Sequence, residues 1–324
     1  MEKNRSILIT GASGFVGSHL VEAALDAGME VWAGVRVSSS RQWLQDNRIN
    51  FLTLSLNDAG QLRQQLKAFA ASHDGKGWDY VVHVAGATKA KSEADFMAAN
   101  SEATSNFAEA LTDLSMQPQR FVLMSSLSAA FTNTAYGRSK LCAEQRLAEM
   151  ADKLDYVVLR PTGVYGPRER DYLLMAKSIR KHIDFSVGFK PQMITFIYVK
   201  DLCKAALLAL TAGKRGAIYP LSDGSTYSSR DFSRLLQKEM GVKTVMHITA
   251  PLWVLKTVCA VSEWTAGITG RMSALNNDKY NILKQRDWRC DISDAERELG
   301  YKPDYDLAQG VAQTVSWYKE HKWI

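Results

Sequence analysis

The stretch "SILITGASGFVGSHLVEAALDAG", residues 6–28, decides how this chain is read. Its first five residues are an apolar run of strand length. Three glycines follow at Gly11, Gly14 and Gly17, and then the period changes. Val16, Leu20, Val21, Ala24 and Leu25 recur at helical spacing on one face, and Gly28 closes the segment. A buried strand, a glycine turn and a helix in immediate succession make the opening unit of a sheet that holds a dinucleotide on its first turn. In that arrangement Gly11 permits the tight turn. Gly14 lets backbone approach a pyrophosphate, Gly17 lets helix and strand pack closely, and the helix N-terminus faces the phosphates.

The rest of the chain keeps this rhythm. Apolar runs at 30–36, 49–56, 80–86, 120–126 and 155–161 alternate with amphipathic segments, notably 94–114 and 135–151. The expectation is an α/β protein with a Rossmann-like doubly wound parallel sheet and right-handed crossovers. Beyond Pro161 the pattern loosens. "TGVYGPRERD" reads as a turn-rich loop, followed by a helix near 172–182, a strand at 194–199, a less regular region over 225–300 and a last helix at 307–320. We therefore expect a dinucleotide-binding domain over 1–165, with 194–225 returning to it. A smaller interleaved C-terminal substrate lobe is expected from 166–193 and 226–324.

Composition narrows the partners. A net charge of +6 over 324 residues, with the basic residues scattered, speaks against nucleic acid and for a small anionic ligand. The four cysteines lie far apart with no CxxC, so neither zinc nor a disulfide framework is expected, and a reduced, cytoplasmic setting is the default. No signal-peptide pattern opens the chain. The most apolar stretch, "APLWVLKTVCAV" (250–261), is too short to span a bilayer and carries Lys256. It reads as a core or pocket-lining helix, with contact at a membrane surface left open.

The end of the second strand discriminates between dinucleotides, because a carboxylate there binds the ribose 2′-hydroxyl and repels a 2′-phosphate. This chain has "VRVSSSR" instead, with Arg36 and Arg41 flanking three serines and no acid. Charge-assisted hydrogen bonds from Arg36 favour NADP(H) over NAD(H), which stays possible. The plainer alternative is a solvated basic turn.

The pattern YxxxK occurs three times, at Tyr136/Lys140, Tyr280/Lys284 and Tyr318/Lys322. Only the first follows a sheet strand and starts a helix. Together with "TGASGFVG", "VVHVAG", Asn100, Ser125–Ser126, "YGRSK", "LRPTGVYGPRE" and "FIYVKDL", it resembles the extended short-chain dehydrogenase/reductase family, also described as NAD-dependent epimerase/dehydratase proteins. The likeness runs over nearly the whole chain, including its last helix. It implies Ser126, Tyr136 and Lys140 as catalytic residues. It implies a cofactor site of Gly11, Ser13, Gly14, Phe15, Val16, Gly17, Arg36, Ser55, Leu56, Ala85, Gly86, Ala87, Asn100, Tyr136, Lys140, Pro161, Gly163 and Val164. It also implies a homodimer through helices 94–114 and 135–151.

Physical chemistry agrees with those roles. At i and i+4, Tyr136 and Lys140 share a helix face, and an ammonium beside a phenol is expected to lower its pKa toward working pH. Such a tyrosine exchanges a proton with an alcohol or ketone while Ser126 holds the same oxygen. Ser128 competes for that place, and nine residues separate Ser126 from Tyr136. Asn100 is implied as a helix-bending, positioning residue, against a plain surface asparagine.

No acid follows Ser126, which argues against sugar dehydration. Ile194 and Thr195 stand where nucleotide-sugar epimerases resemble one another in carrying an arginine. Asp201 is read as capping or orienting its helix, and His83 as a packed core residue. Tyr165 and Arg168 either touch substrate or stabilise their loop. Trp253, Trp264, Met272 and Tyr280 line an apolar site or, more simply, pack a core. The leading expectation is an NADP(H)-dependent oxidoreductase for a secondary alcohol or ketone, similar to the dihydroflavonol-reductase and 3β-hydroxysteroid-dehydrogenase groups. The alternatives are a nucleotide-sugar epimerase and a non-catalytic NADP-sensing protein.

Overall fold

The structure, a computed structural model, describes residues 4–131, 133–190, 192–269 and 277–324. In chain order the elements begin with β1 (Ser6–Thr10), α1 (Phe15–Asp26), β2 (Glu30–Val35), β3 (Asn50–Thr53), α2 (Ala59–Ala71) and β4 (Tyr80–His83). Then come α3 (Glu93–Phe96), a π-turn (Met97–Glu102), α4 (Ala103–Asp113), β5 (Arg120–Met124), a 3₁₀ turn (Leu127–Ala130), α5 (Ala135–Ala148) and β6 (Tyr156–Pro161). They continue with β7 (Gly163–Tyr165), α6 (Asp171–Arg180), β8 (Ile183–Val187), β9 (Met193–Ile194), β10 (Phe196–Tyr198), α7 (Val199–Leu208) and β11 (Ile218–Leu221). Last come β12 (Tyr227–Ser228), α8 (Asp231–Met240), β13 (Met246–Ala250), α9 (Leu252–Thr269), α10 (Asn277–Lys284), β14 (Asp287–Trp288), a second π-turn (Ala295–Leu299) and α11 (Leu307–Glu320).

Two compact units share these elements. The first holds Met1–Pro161, Leu202–Pro220 and Ile292–Lys302. Its centre is a seven-stranded Rossmann-like sheet ordered β11-β6-β5-β4-β1-β2-β3, in which the five pairs from β6 to β3 are parallel. On one face Leu8, Val81, Phe121, Leu123 and Val158 meet Leu62 and Leu66 of α2, Phe107 and Leu111 of α4 and Leu147 of α5. Alternation sends Ile7 and Ile9 to the other face. Each such side chain contributes roughly 1.5–3 kcal/mol relative to exposure. The apolar stripe read from the first helix is the one buried, since Leu20, Val21, Ala24 and Leu25 of α1 are all in the core.

The second unit holds Thr162–Asp201, Leu221–Asp291 and Pro303–Ile324. It contains three small sheets, β10-β7, β12-β9-β14 and β13-β8. Here the reading of "TGVYGPRERD" as loop needs correction. Gly163, Val164 and Tyr165 form a strand that pairs in parallel with Phe196, Ile197 and Tyr198. Three residues carry no periodicity, so only the distant partner makes them a strand. Tyr165 is fully buried among Tyr172, Phe196, Tyr198 and Phe232, which makes it a packing residue. Asp201 stands in the first turn of α7, where an acid suits the helix's positive end. Its carboxylate accepts the backbone amides of Asp304 and Tyr305, at 2.9 and 3.1 Å.

Among the described residues no helix is long and apolar enough to cross a membrane, and no cluster of three metal-binding side chains occurs. Trp253 does not pack a core, for it is 71% exposed at the start of α9. Tyr280 is half-buried on α10. The side chain of Trp264 and all of Met272 lie outside the described residues.

Candidate active site

Each strand of a parallel sheet releases its chain at the same edge, and in the first unit that edge gathers the site. After β1 the chain turns at Gly11, whose φ is +67°. A β-carbon there would stand 2.8 Å from the Ala85 backbone, so the turn needs glycine for conformation and for space. A β-carbon on Gly17 would stand 2.2 Å from the Gly11 carbonyl oxygen, which is the close helix–strand approach expected from the spacing. Gly14 is different. A side chain there would meet only that same oxygen, at 3.2 Å, so the protein itself leaves room above it.

Gly14 is also the N-cap of α1. It brings no side-chain cap, and the first turn, with half-buried Phe15 and Val16, has no acid. Its free N–H groups and positive end therefore fit the pyrophosphate of a dinucleotide, with Ser13 half-buried beside them.

From β4 the chain passes Ala85, Gly86 and Ala87. The Ala85 amide donates to Thr10 Oγ1 at 3.3 Å, and the same hydroxyl is hydrogen-bonded with His83 Nδ1 at 2.8 Å. His83 is fully buried against Phe107 and Phe121, and burial, helped by the charge of Lys140, pushes its pKa down to about 3. It is a neutral core residue.

Asn100 lies in the π-turn between α3 and α4 and is 1% exposed. Its Oδ1 accepts from the Ala87 amide at 2.7 Å, while Nδ2 donates to the Ala87 carbonyl at 3.0 Å and to Ser139 Oγ at 2.9 Å. Ser139 in turn donates to the Tyr136 carbonyl at 2.8 Å. The side chain thus ties the turn after β4 to the first turn of α5. A widened helical turn of this kind is frequent at functional sites.

Side-chain caps shape the chain on both sides of the Ser126–Tyr136 interval. Ser126 caps the 3₁₀ turn, accepting from the Ser128 amide at 3.2 Å, and Thr134 caps α5 by accepting from the Gly137 amide at 2.9 Å. Ser128 gives its carbonyl to the contact beneath Gly137, whose β-carbon would stand 2.4 Å from that oxygen. Tyr136 is half-buried, has Phe96 beside its ring at 5.9 Å and is hydrogen-bonded to Ser126. The expected lowering of its pKa does not occur. Burial raises it, and the Ser126 bond only partly opposes that. Lys140, one helical turn further on, donates from Nζ to the Met124 carbonyl at 2.9 Å. Burial pushes the Lys140 pKa down to about 8 against the attraction of Glu144.

Glu144 and Arg160 are residues that reading the sequence missed. Arg160 Nε donates to Glu144 Oε1 at 2.9 Å, its Nη2 reaches Oε2, and Ser125 Oγ bonds Oε1. The one available signal was that Glu144 follows Lys140 by four positions on a helix.

Other expected residues lie apart from this network. Arg36 is exposed in a turn where its amide donates to Ser39 Oγ at 3.1 Å, and Arg41 stacks on Phe51 at 4.1 Å. Ser55 is held by Gln65, with its amide donating to Oε1 at 2.8 Å, and the Leu56 carbonyl accepts from Asn106 at 3.1 Å. Pro161 ends β6, while Gly163 and Val164 stand on β7 of the second unit. The other two tyrosine–lysine pairs are bound elsewhere. Tyr318 is fully buried and donates to the Glu169 carbonyl at 3.1 Å, and Lys284 lies over its own Tyr280 ring at 5.9 Å.

A parallel sheet with a glycine turn at its head, and a hydroxyl pair with a buried amine at the same edge, define a Rossmann-like protein. Residues 7–221 match the NAD dependent epimerase/dehydratase family, and the chain belongs to it. It is 27% identical over 321 residues to the ceramide reductase of Caulobacter vibrioides, covering 98% of this chain and 96% of that protein. It is likewise 27% identical over 342 residues to a putative dihydroflavonol 4-reductase of Synechocystis, covering 98% and 95%. Among solved structures, the Bordetella bronchiseptica enzyme WbmG in complex with NAD superposes with a TM-score of 0.76 at 21% identity, covering 99% of this chain and 96% of that one.

Proposed function

We propose that the protein is an NADP(H)-dependent oxidoreductase that reduces a hydrophobic ketone, or oxidises the matching secondary alcohol. The observation that carries this reading is the hydrogen-bonded pair of Ser126 and Tyr136 with buried Lys140 one helical turn further on. When bound, the dinucleotide supplies or accepts the hydride. The chain's residues then handle the proton. Burial keeps the Tyr136 phenol protonated at neutral pH, which suits an acid that gives its proton to a carbonyl oxygen. Ser126 holds that oxygen, and the Lys140 charge stabilises the phenolate left behind. Asn100, through Ser139, keeps the turn that carries Tyr136 in place.

Two relatives that span nearly the whole chain are named as reductases, which supports net reduction over epimerisation. Arg36, exposed just past β2, supports the phosphorylated dinucleotide. A homodimer through 94–114 and 135–151 and a cytoplasmic setting belong to the same reading.

The test is NADPH consumption by the purified protein against a panel of hydrophobic ketones. Tyr136→Phe should lower turnover at least about a hundredfold with cofactor affinity changed only a few-fold. An epimerase would interconvert sugars without net NADPH consumption, and a sensor would bind NADPH without turnover. Either result ends the proposal.

A further inference from the structure

The small sheet of β8 and β13 in the second unit is built inside out. The strands are parallel, in the register Met246 to Ile183, Ile248 to Phe185 and Ala250 to Val187, so those six apolar side chains share one face. The other face carries Asp184, Ser186, His247 and Thr249. It is this polar face that is anchored to the protein. Asp184 Oδ2 accepts from Ser233 Oγ at 3.1 Å and contacts His247 Nδ1 at 2.9 Å. Ser186 and Thr249 bond at 2.8 Å, and Arg230 Nη2 donates to Thr249 at 3.2 Å. Ser233 and Arg230 belong to α8 and its N-cap. With the hydrogen-bonding face committed to α8, the apolar face is turned away from it. Phe185 is 59% exposed and Met246 is 60% exposed.

Both strands then end at one corner, where the Gly188 amide donates to the Ala250 carbonyl at 2.9 Å. One residue past Gly188 stands Phe189, 76% exposed, and three residues past Ala250 stands Trp253, 71% exposed. From there Trp253, Thr257, Ala260 and Val261 line the outer side of α9, whose Leu255 and Cys259 are buried. A sheet face, a corner and a helix side thus present apolar surface together. Proteins rarely leave such surface without an occupant.

Charge identifies the occupant. The two segments that carry this surface, 177–190 and 241–262, expose Lys177, Arg180, Lys181, Lys190, Lys243 and Lys256. Within those stretches the one carboxylate, Asp184, is buried, and the next acid along α9 in sequence is Glu263. A second copy docking by the same face would bring two basic rims together, which like-charge repulsion opposes. An anionic bilayer meets both demands, because aromatic and aliphatic side chains enter the headgroup region while lysines sit among lipid phosphates.

We propose that the β8–β13 face, its Phe189/Trp253 corner and the outer side of α9 form a docking surface for an anionic membrane. The surface holds the protein at the interface without spanning it. This rests on the second unit's own side chains and not on the proposed reaction, so it stands or falls separately.

The experiment is flotation of the full-length protein with vesicles of phosphatidylcholine alone and with vesicles that also contain phosphatidylglycerol. Binding is expected to the anionic vesicles and to weaken with added salt. Lys190→Gln and Lys256→Gln should each weaken it by about fivefold. A Phe189→Ser/Trp253→Ser double variant should lose it while its unfolding midpoint and NADPH binding stay unchanged, since both residues are surface-exposed. Failure to float with either vesicle overturns the proposal. So does a concentration-dependent dimer in analytical ultracentrifugation that the double variant abolishes, for the face would then belong to a second copy.

Discussion

Lys140 Nζ donates to the Met124 carbonyl oxygen at 2.9 Å, which fixes a lysine 6% exposed against the end of the fifth strand. Its pKa falls from 10.5 to about 8, chiefly through burial. The lowered value means that the folded state loses this proton before the unfolded state does. Below pH 8 both states carry the charge, and the full cost of burying it is felt. Between about pH 8 and 10.5 the unfolded chain binds more protons, so this contribution to stability rises with pH and then levels off. Urea unfolding of the wild type and Lys140→Met across that range should show the wild type gaining on the variant by about 3 kcal/mol. A constant gap between the two would show that the lysine keeps an ordinary pKa.

Behind that lysine, Glu144 and Arg160 form a buried ion pair, with side chains 4% and 15% exposed. Removing one partner strands the other, at a cost of about 3–5 kcal/mol. Glu144→Ala should therefore unfold at markedly lower urea than the wild type. Arg160→Met/Glu144→Leu together should recover most of the loss, because a buried pair exchanged for apolar side chains leaves no lone charge. If the double variant is as unstable as the single one, the damage lies in packing and not in charge.

What the sequence revealed and what it hid divide along physical lines. The opening strand–turn–helix was legible because its periodicity and glycine spacing are local properties. The same holds for the terminal helix, expected at 307–320 and found as Leu307–Glu320. The bend at Asn100 was implied only by the family resemblance, since the one inserted residue of its π-turn leaves no periodic trace. β7 escaped because its partner lies over thirty residues away. The direction of the Tyr136 shift was misread because adjacency on a helix says nothing of burial, and burial outweighs the rest. Trp253 was misread for the mirror reason, an apolar residue assumed to be inside.

Gly137 illustrates a residue legible as part of a motif but not in its cause. In an ordinary helix, exchanging glycine for alanine stabilises by about 1 kcal/mol. Here the added carbon would meet the Ser128 carbonyl at 2.4 Å and the Phe131 carbonyl at 2.6 Å, both backbone atoms of the loop that carries Ser126. Relieving that contact means moving the loop or the helix, at about 1–3 kcal/mol. Gly137→Ala should thus bring no gain and be net destabilising by up to about 2 kcal/mol, and turnover should fall further than stability as Ser126 and Tyr136 separate. A gain in unfolding midpoint would show that the loop yields freely.

Arg36 supplies the remaining test. It follows the last residue of β2, and its backbone is pinned by Ser39, through the 3.1 Å bond from its amide and a 3.0 Å bond back to its carbonyl. The turn is therefore ordered while the guanidinium stays exposed, so its loss removes little else. A charge-assisted contact to a 2′-phosphate is worth about 1.5–3 kcal/mol, roughly ten- to a hundredfold in affinity. Arg36→Ala should weaken NADP⁺ binding by that factor and NAD⁺ by less than about twofold, because the unphosphorylated ribose makes no such contact. Arg41, stacked on Phe51 at 4.1 Å, adds a second fixed cation at this end of the sheet, so Arg36→Ala/Arg41→Ala should widen the difference. Titration calorimetry with both dinucleotides decides it, and equal weakening of the two would assign the basic turn to solvent alone.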